Sequence, residues 1–377
     1  MMKNKIYLDY NASTPTSDTV KNVVLNAMDL MGNPSSVHYH GRQAKKAVED
    51  ARIQVAALAG ARARDVVFTS GGTEANNLAL FGCPAQSYLL SPIEHEAVLA
   101  TEKSLTRQGK TVQHLVLNSD GQIDLQDMEE KLKALPSPCL VSVMMVNNEM
   151  GLIQDLKPVI DLVRQHGAFI HSDCVQAAGK TPLDIQGLDL DYMSLSGHKI
   201  YGPKGVGALV LKATAPLNAQ LFGGGQELGR RSGTENVASI AGFGAAALDA
   251  MEHIAHQDKI GELRDSLEHQ IKAHANEAVI IGEALSRTQN VTCIAMPGTS
   301  GETQVMHMDL MGISLSSGSA CSSGKVKTSH VIKALGYDDT IANSSIRISL
   351  GIHTTEEDVD QLVKAWCQLY DRKKGQL

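Results

Sequence analysis

Short apolar runs alternate with longer amphipathic stretches along most of the chain. Two of the amphipathic stretches cover residues 41–59 and 156–165, and each is followed within two residues by a glycine, so both predict helices that end at that glycine. Strand–helix alternation of this kind predicts an α/β fold with a mostly parallel sheet. The runs that predict strands are residues 66–69, 88–90, 140–146, 168–171, 191–195 and 207–211.

Polar residues follow five successive predicted strands. Ligands of α/β sheets bind beyond the carboxyl ends of the strands, so these residues together predict one site. After the first strand, Gly71, Gly72 and Thr73 begin a predicted helix, where backbone N–H groups cradle phosphate. The other four segments are residues 91–95, 147–149, 172–176 and 196–199.

The last of these segments ends in a glycine-rich turn that contains Lys199. A lysine just past a strand and beside His198 is suited to act as an amine nucleophile, because burial or a cationic neighbour lowers its pKa. Taken alone, this segment favours a surface lysine. The other four strand ends make a functional lysine the better interpretation.

Two nucleotide-binding motifs fail. The glycines at 71 and 72 do not form Gly-x-Gly-x-x-Gly, and a phosphate-binding loop ending at Lys180 would need glycine where the chain has Cys174. What remains is a phosphate cradle, Asp173 at one strand end and Lys199 at a later one. Pyridoxal 5'-phosphate requires this set: a lysine for covalent attachment, an aspartate for the ring nitrogen and a loop for the phosphate.

Composition narrows the class of protein. The 377 residues are 43% hydrophobic, which is enough for two domains, and the net charge of −7 without a basic run argues against a nucleic-acid partner. We expect no membrane span, because no apolar run is long enough, and no signal peptide at the start. Six scattered cysteines without a Cys-x-x-Cys pair fit reduced thiols in a cytoplasmic protein and predict no intrinsic metal site.

Motifs spread over nearly the whole chain resemble the fold-type I, class V pyridoxal-phosphate enzymes, and more narrowly the cysteine desulfurases of the NifS/IscS type. The motifs are residues 7–12, 32–36, 69–74, 94–95, 146–149, Asp173 with Gln176, 196–205, 231–234, 316–321 and 344–347. The resemblance implies a large domain, residues 13–255, with a mostly parallel seven-stranded sheet. It also implies a smaller α/β domain, residues 1–12 and 256–377, that carries Cys321 and Arg347.

The resemblance also implies a role for each site residue. Lys199 holds the cofactor covalently, His95 stacks on its ring, Asp173 pairs with the ring nitrogen and Gln176 contacts the ring hydroxyl. The phosphate is implied to contact Thr73, Ser196 and His198, with Gly72 and Asn148 also at the cofactor. Thr234 would reach the phosphate of a second subunit, which predicts a homodimer. The substrate-binding residues are implied to be Asn11, Asn148 and Arg347.

Cys321 is the discriminating residue, because it lies in a Ser/Gly-rich loop where cysteine is unusual. The resemblance makes Cys321, with Lys199 and His95, catalytic: L-cysteine yields L-alanine and a persulfide on Cys321, for delivery to a sulfur acceptor such as an iron–sulfur scaffold protein. Cys321 is also a candidate transient ligand for an iron–sulfur cluster. The long loop resembles that of IscS, whereas the residues after Cys321 and the short end after Trp366 are closer to NifS-like desulfurases.

Three alternative functions remain open from the sequence. An aminotransferase of the same class would have no need of Cys321. Selenocysteine lyase activity is compatible with the same residues. An interaction subunit that binds a sulfur-acceptor scaffold without turnover would be expected to lack some of Lys199, Asp173, His95 and Cys321, all of which are present.

Overall fold

The computed structural model describes residues 5–317 and 328–375. Its largest sheet has seven strands in the order β2-β8-β7-β6-β5-β3-β4, and β8 is antiparallel to both of its neighbours while the other pairs are parallel. The predicted α/β fold with a mostly parallel seven-stranded sheet is confirmed. The strands are β1 Ile6–Tyr7, β2 Val66–Thr69, β3 Ser87–Leu90, β4 Thr111–His114, β5 Cys139–Ser142, β6 Phe169–Asp173, β7 Tyr192–Ser196, β8 Gly207–Leu211, β9 Val279–Ile280, β10 Val291–Ala295, β11 Ile313–Ser314, β12 Ser316–Ser317 and β13 Ser345–Ser349.

Helices cover the sheet, and the longest, Tyr39–Leu58, packs against the helix Val237–His253. Most begin at a polar residue whose side chain accepts from the first turn, as Asp155 does for α7. The helices are α1 Asp18–Met28, α2 Tyr39–Leu58, α3 Gly72–Gly82, α4 Glu96–Leu99, α5 Glu102–Arg107, α6 Leu125–Ala134, α7 Leu156–Gln165, α8 Ile185–Leu188, α9 Val237–His253, α10 Gln257–His274, α11 Gly301–Leu310, α12 His330–Ala334, α13 Asp339–Asn343 and α14 Glu356–Lys373. Within residues 5–317 and 328–375, no helix combines the length and apolar character needed to cross a bilayer.

The predicted elements match the sheet closely, with two errors. The strand predicted over 140–146 ends at Ser142, where its pairing with β3 stops and the Met144 N–H donates to the buried carboxylate of Glu94 at 2.5 Å; toward β6, the Val143 and Met145 N–H groups still donate to backbone carbonyls. The polar strand β4 was not predicted. It lies at the sheet edge with mostly exposed side chains, so it has no apolar run to reveal it.

A second hydrophobic core surrounds Trp366, away from the large sheet. It includes residues of α10 and α14 and of a four-stranded antiparallel sheet, β12-β13-β10-β9. Strand β1, near the start of the chain, pairs in parallel with β11, and Leu8 packs in the same core. The N-terminal segment therefore packs with the C-terminal third of the chain. The boundaries at residues 12/13 and 255/256 stay a prediction.

Candidate active site

A cavity of about 320 Å³ opens at the carboxyl ends of the parallel strands. It brings together residues from both parts of the chain, as the polar strand ends predict. Of the predicted site residues, it is lined by Asn11, Gly72, Thr73, His95, Asn148, Asp173, Gln176, Ser196, His198, Lys199 and Arg347. Thr234 does not line it and is exposed in the loop before α9. Cys321 lies outside the described residues.

Lys199 ends the 3-10 turn that follows β7, and its amine points toward the N-terminal segment. Its Nζ donates to the backbone carbonyls of Asn11 at 2.5 Å and Ala12 at 2.9 Å. A further hydrogen bond holds the turn against the N-terminal segment, since the Thr14 N–H donates to the His198 carbonyl at 2.9 Å. These contacts place a primary amine at the cavity, which suits covalent attachment of a carbonyl compound.

Asp173 ends β6 and is buried. Its carboxylate accepts hydrogen bonds from the side-chain amide of Asn76 at 2.6 Å and from the Val175 N–H at 2.9 Å, which fix its orientation. Sequence reasoning assigned no role to Asn76. The signal was present: Asn76 lies three residues after Thr73, on the face of α3 that packs on the sheet, where a buried polar side chain needs a partner.

One part of the cavity lining offers hydrogen-bond donors that suit an anion. Gly72 and Thr73 begin α3, whose first N–H groups have no partner within the helix, and Ser196 and His198 lie at the end of β7. Burial, followed by the nearby Lys199, lowers the pKa of His198 to about 4, so its ring is neutral near pH 7. A neutral imidazole still has one N–H to donate.

His95 also lines the cavity. Its Nδ1 accepts from the Ala97 N–H at 3.0 Å and so caps the short helix α4. A ring nitrogen that accepts from an N–H carries no proton, so Nε2 holds the proton in the neutral ring. The tautomer therefore presents an N–H group that can exchange a proton within the site.

The opposite wall of the cavity holds a buried guanidinium, that of Arg347 on β13. It donates to the Asp9 carboxylate at 2.8 Å and to the Asn148 carbonyl at 3.2 Å. Ser316 donates to the other Asp9 oxygen at 2.6 Å. The buried Nε of Arg347 makes no hydrogen bond within the described part of the chain. A fixed guanidinium with unused donor capacity suits a carboxylate ligand.

Glu149 is a buried acid behind this wall that sequence reasoning did not assign. Its carboxyl accepts from Ser329 at 2.5 Å. Burial raises its pKa to about 7, while Ser329, Arg347 and His95 lower it and partly offset that effect. The charge of Glu149 therefore changes near neutral pH. The only sequence signal was its place in the Asn147-Asn148-Glu149 segment after β5.

The described cysteines have poorly nucleophilic thiols. Burial is the first cause that raises the pKa of each, to about 12 for Cys83, Cys174 and Cys293, to about 11 for Cys367 and upward also for Cys139. Only a thiolate is a good nucleophile, so none of these five suits sulfur chemistry near pH 7. Over residues 5–317 and 328–375, no group of three His, Cys, Asp or Glu side chains could hold a metal ion.

Comparison with known proteins gives consistent matches. The aminotransferase class-V family model matches residues 6–362. A protein named cysteine desulfurase IscS, from Shewanella baltica strain OS223, is 41% identical, over 98% of this chain and 94% of the relative. The X-ray structure of a NifS-like protein from Rickettsia africae ESF-5 superposes with a TM-score of 0.90 at 36% identity, covering 98% of this chain and all of that one. A structure titled SspA in complex with cysteine has a TM-score of 0.78 at 30% identity, covering 93% of this chain and all of that one.

Proposed function

The chain belongs to the aminotransferase class-V family, among relatives named cysteine desulfurase, and from this premise we propose that it is a cysteine desulfurase with pyridoxal 5'-phosphate as cofactor. It converts L-cysteine to L-alanine and places the sulfur on Cys321 as a persulfide. The observation that carries the proposal is the single cavity in which Lys199, Asp173 and Arg347 meet. These supply an amine, a carboxylate and a carboxylate-binding guanidinium.

The residues present fit the cofactor. The N-terminus of α3, with Thr73, Ser196 and neutral His198, offers donors for a phosphate. Asp173, held by two hydrogen bonds, would pair with the ring nitrogen. Bound there, the cofactor would supply an electron sink for negative charge on the substrate Cα.

The remaining polar groups would hold the ring and its attachment. His95 would stack on the ring, and Gln176 would contact its hydroxyl, while Gly72 and Asn148 line the same space. Lys199 would hold the cofactor covalently. The position of each residue at the cavity and the family resemblance support these roles.

Arg347 would bind the substrate carboxylate. Its Nε is buried without a described partner, and Asp9 and Asn148 fix the other two nitrogens, so the guanidinium is already oriented for an anion. Asn11 joins this wall, because its side-chain amide donates to the Asn148 carbonyl at 3.1 Å. The three residues would thereby place the amino acid against the cofactor.

Three side chains would take part in moving the protons and the sulfur. The Lys199 amine takes the Cα proton of L-cysteine, and a thiolate on Cys321 attacks the substrate sulfur. The Cβ–S bond breaks, an S–S bond forms on Cys321, and the carbon gains a proton to become the methyl group of L-alanine. The Cys321 sulfur and the substrate sulfur lose one electron each in forming the S–S bond, and the substrate Cβ gains these two electrons, so electrons balance. The Nε2–H of His95 would donate a hydrogen bond within the site, and the substrate amine would accept the thiol proton.

The raised pKa of every described thiol supports Cys321 as the nucleophile. Of the six cysteines in the sequence, five are described, and burial suppresses the thiolate form of each. Cys321, in a loop of serines and glycines, is the remaining candidate. We further propose delivery of the sulfur to a partner protein, such as an iron–sulfur scaffold, in the cytoplasm.

From the family resemblance we also propose a homodimer in which Thr234, which is exposed and does not line the cavity of its own chain, contacts the phosphate bound by the second subunit. The pairing of β1 with β11 and the separate hydrophobic core around Trp366 support the division into residues 13–255 and residues 1–12 with 256–377. The cavity would then lie between a cofactor domain and a domain that contributes Arg347.

The test is alanine formed from L-cysteine in the presence of a reductant, with the wild type compared with Cys321→Ser. We expect alanine from the wild type and from the control Cys367→Ser, and a loss of at least a hundredfold in Cys321→Ser with the cofactor still bound. Alanine from both the wild type and Cys321→Ser at equal rates would contradict the persulfide role. Alanine from neither, with cofactor bound, would contradict the substrate assignment.

A further inference from the structure

Lys180 has a buried amine beside the cavity that no step above uses. Its Nζ donates to the side-chain carbonyl of Asn11 at 3.0 Å and to that of Gln176 at 2.5 Å. Both acceptors belong to residues that line the cavity. The lysine belongs to the Gly179-Lys180-Thr181 segment, which failed as a nucleotide motif and has no other role.

A lysine amine facing these two oxygens fixes which way each amide points. The protonated amine of lysine donates hydrogen bonds and cannot accept them, whereas the two ends of an amide are nearly identical in shape. With its oxygen held by Lys180, the Gln176 amide must turn its NH₂ group the other way, and that group donates to the Asn11 carbonyl at 2.9 Å.

The Asn11 side chain is oriented by the same rule. Its oxygen accepts from Lys180 and, at 3.0 Å, from Asn290. Its NH₂ group therefore faces the Asn148 carbonyl at 3.1 Å, where Arg347 also donates. Lys180 thus orients two amides, that of Gln176 on the cofactor side of the cavity and that of Asn11 on the substrate side.

The orienting bonds do not depend on the charge of Lys180. Burial, followed by the neighbouring Lys199 and Arg347, lowers the pKa of the Lys180 amine well below its usual range. A neutral amine keeps two N–H donors, one for each amide oxygen, and the NH₂ groups of both amides already donate to the carbonyls of Asn11 and Asn148, so the lone pair of the neutral amine does not reverse either amide. A neutral Lys180 would also add no positive charge beside Lys199 and Arg347.

We propose that Lys180 is a positioning residue that locks the amides of Asn11 and Gln176, so that Gln176 turns its NH₂ group toward the cofactor ring hydroxyl. The inference rests on the proposed function, because it takes Gln176 as a cofactor contact. Lys180 acts through these two side chains and does not itself touch the reacting atoms.

The test is a double-mutant cycle on cofactor affinity, using wild type, Lys180→Met, Gln176→Met and the double variant. Methionine keeps the length of the side chain and removes its donors. The dissociation constant of pyridoxal 5'-phosphate is measured by absorbance titration of each apoprotein. Loss of one hydrogen bond of this kind predicts about tenfold weaker binding in Lys180→Met.

The cycle separates positioning from a general loss of structure. If Lys180 acts through Gln176, adding Lys180→Met to Gln176→Met weakens binding by less than about threefold, since coupled residues are not additive. A full tenfold loss in that background would overturn the proposal, as would unchanged affinity in Lys180→Met. The control Lys46→Met removes an exposed lysine of α2, and we expect wild-type affinity.

A second variant keeps the test decisive if Lys180→Met does not fold. In Lys180→Gln the shorter amide can present either its donor or its acceptor to Gln176, so the lock is weakened; we expect roughly threefold weaker cofactor binding. Wild-type affinity in Lys180→Gln would overturn the proposal. A wild type that binds the cofactor but makes no alanine from L-cysteine would contradict the proposed function alone.

Discussion

The two walls of the cavity are built in different ways. We name Thr73, Asp173, Ser196, His198 and Lys199 the cofactor wall; these residues lie at or shortly after the carboxyl ends of β2, β6 and β7 within one sheet. We name Asn11, Asn148 and Arg347 the substrate wall. Its contacts join residues far apart in the chain: Asn11 to Asn148 over 137 positions, and Arg347 to Asp9 over 338.

The two walls have different tasks, cofactor binding and substrate binding. The residues of the cofactor wall are held in a fixed geometry by the strand ends of one rigid sheet. The substrate wall depends on buried ionisable groups, since Arg347 needs Asp9 as its partner and Glu149 stands close by. A buried charge without a partner is costly, so the substrate wall is the part more sensitive to charge changes. Variants of the cofactor wall should therefore change kcat or cofactor affinity, whereas variants of the substrate wall should change KM for L-cysteine.

The largest effect is expected on the cofactor wall, from Asp173→Asn. The amide removes the negative charge opposite the ring nitrogen but keeps an oxygen for the Asn76 hydrogen bond. We expect kcat to fall about a thousandfold because the electron sink is weakened. Steady-state alanine formation measures kcat. Unchanged kcat in Asp173→Asn would contradict the role of Asp173 at the ring nitrogen of the cofactor.

A pH-dependent effect on stability is expected behind the substrate wall, from Glu149→Gln. The carboxyl has a pKa of about 7 in the folded chain against an ordinary 4.5, so the folded state holds a proton that the unfolded chain has lost. Stability contributed by that proton is present below pH 4.5 and is lost as the pH rises through 7. Relative to Glu149→Gln, the wild type should lose about 3 kcal/mol of unfolding free energy between pH 4.5 and pH 8.

Urea unfolding of both proteins at pH 5 and pH 8 measures this difference. The exposed Glu130→Gln serves as the control, and its stability relative to wild type should be the same at both pH values. A Glu149→Gln difference that did not change with pH would show that Glu149 is ionised over the whole range.

A smaller, selective effect is expected from Arg347→Lys. Lysine keeps the charge but loses the planar fork that binds a carboxylate through two bonds. We expect KM for L-cysteine to rise about thirtyfold, which corresponds to about 2 kcal/mol, with the affinity for pyridoxal 5'-phosphate unchanged. The exposed Arg372→Lys is the control. A loss of cofactor affinity in Arg347→Lys would contradict the assignment of cofactor binding and substrate binding to separate walls.

The smallest effect is expected from Asp9→Asn. Asparagine still offers an oxygen to Arg347 but no charge, so the guanidinium is held less firmly. We expect about tenfold higher KM for L-cysteine. Combined with Arg347→Lys, Asp9→Asn should add little, because the two residues act as one pair. Full additivity of the two changes in KM would contradict that coupling.

The sequence predicted the cofactor wall better than the substrate wall, and the reason is physical. The strand periodicity places Asp173 and Lys199 at known ends of a parallel sheet, so spacing alone predicts that they meet. The pattern of apolar and polar residues does not predict that β13 lies beside the N-terminal segment. Arg347 and Asn11 were identified only through the family resemblance, and the partner Asp9 was given no role.

Buried polar groups behind the site were the hardest to predict. Lys180, Glu149 and Asn76 lie in segments whose pattern fits a surface turn or a helix start as well as a buried position. Their significance follows from partners that the fold supplies, such as Asn11 for Lys180. Strand β4 was missed for the opposite reason, since an exposed edge needs no apolar side chains.

The most direct test of the account is to find which lysine carries the cofactor, because two lysine amines lie close to the same cavity. The wild type is loaded with pyridoxal 5'-phosphate and reduced with borohydride, which fixes the lysine linkage, and the modified peptide is identified by mass spectrometry. The account predicts the label on Lys199 and none on Lys180. A label on Lys180, or no label on a chain that has taken up the cofactor, would contradict it.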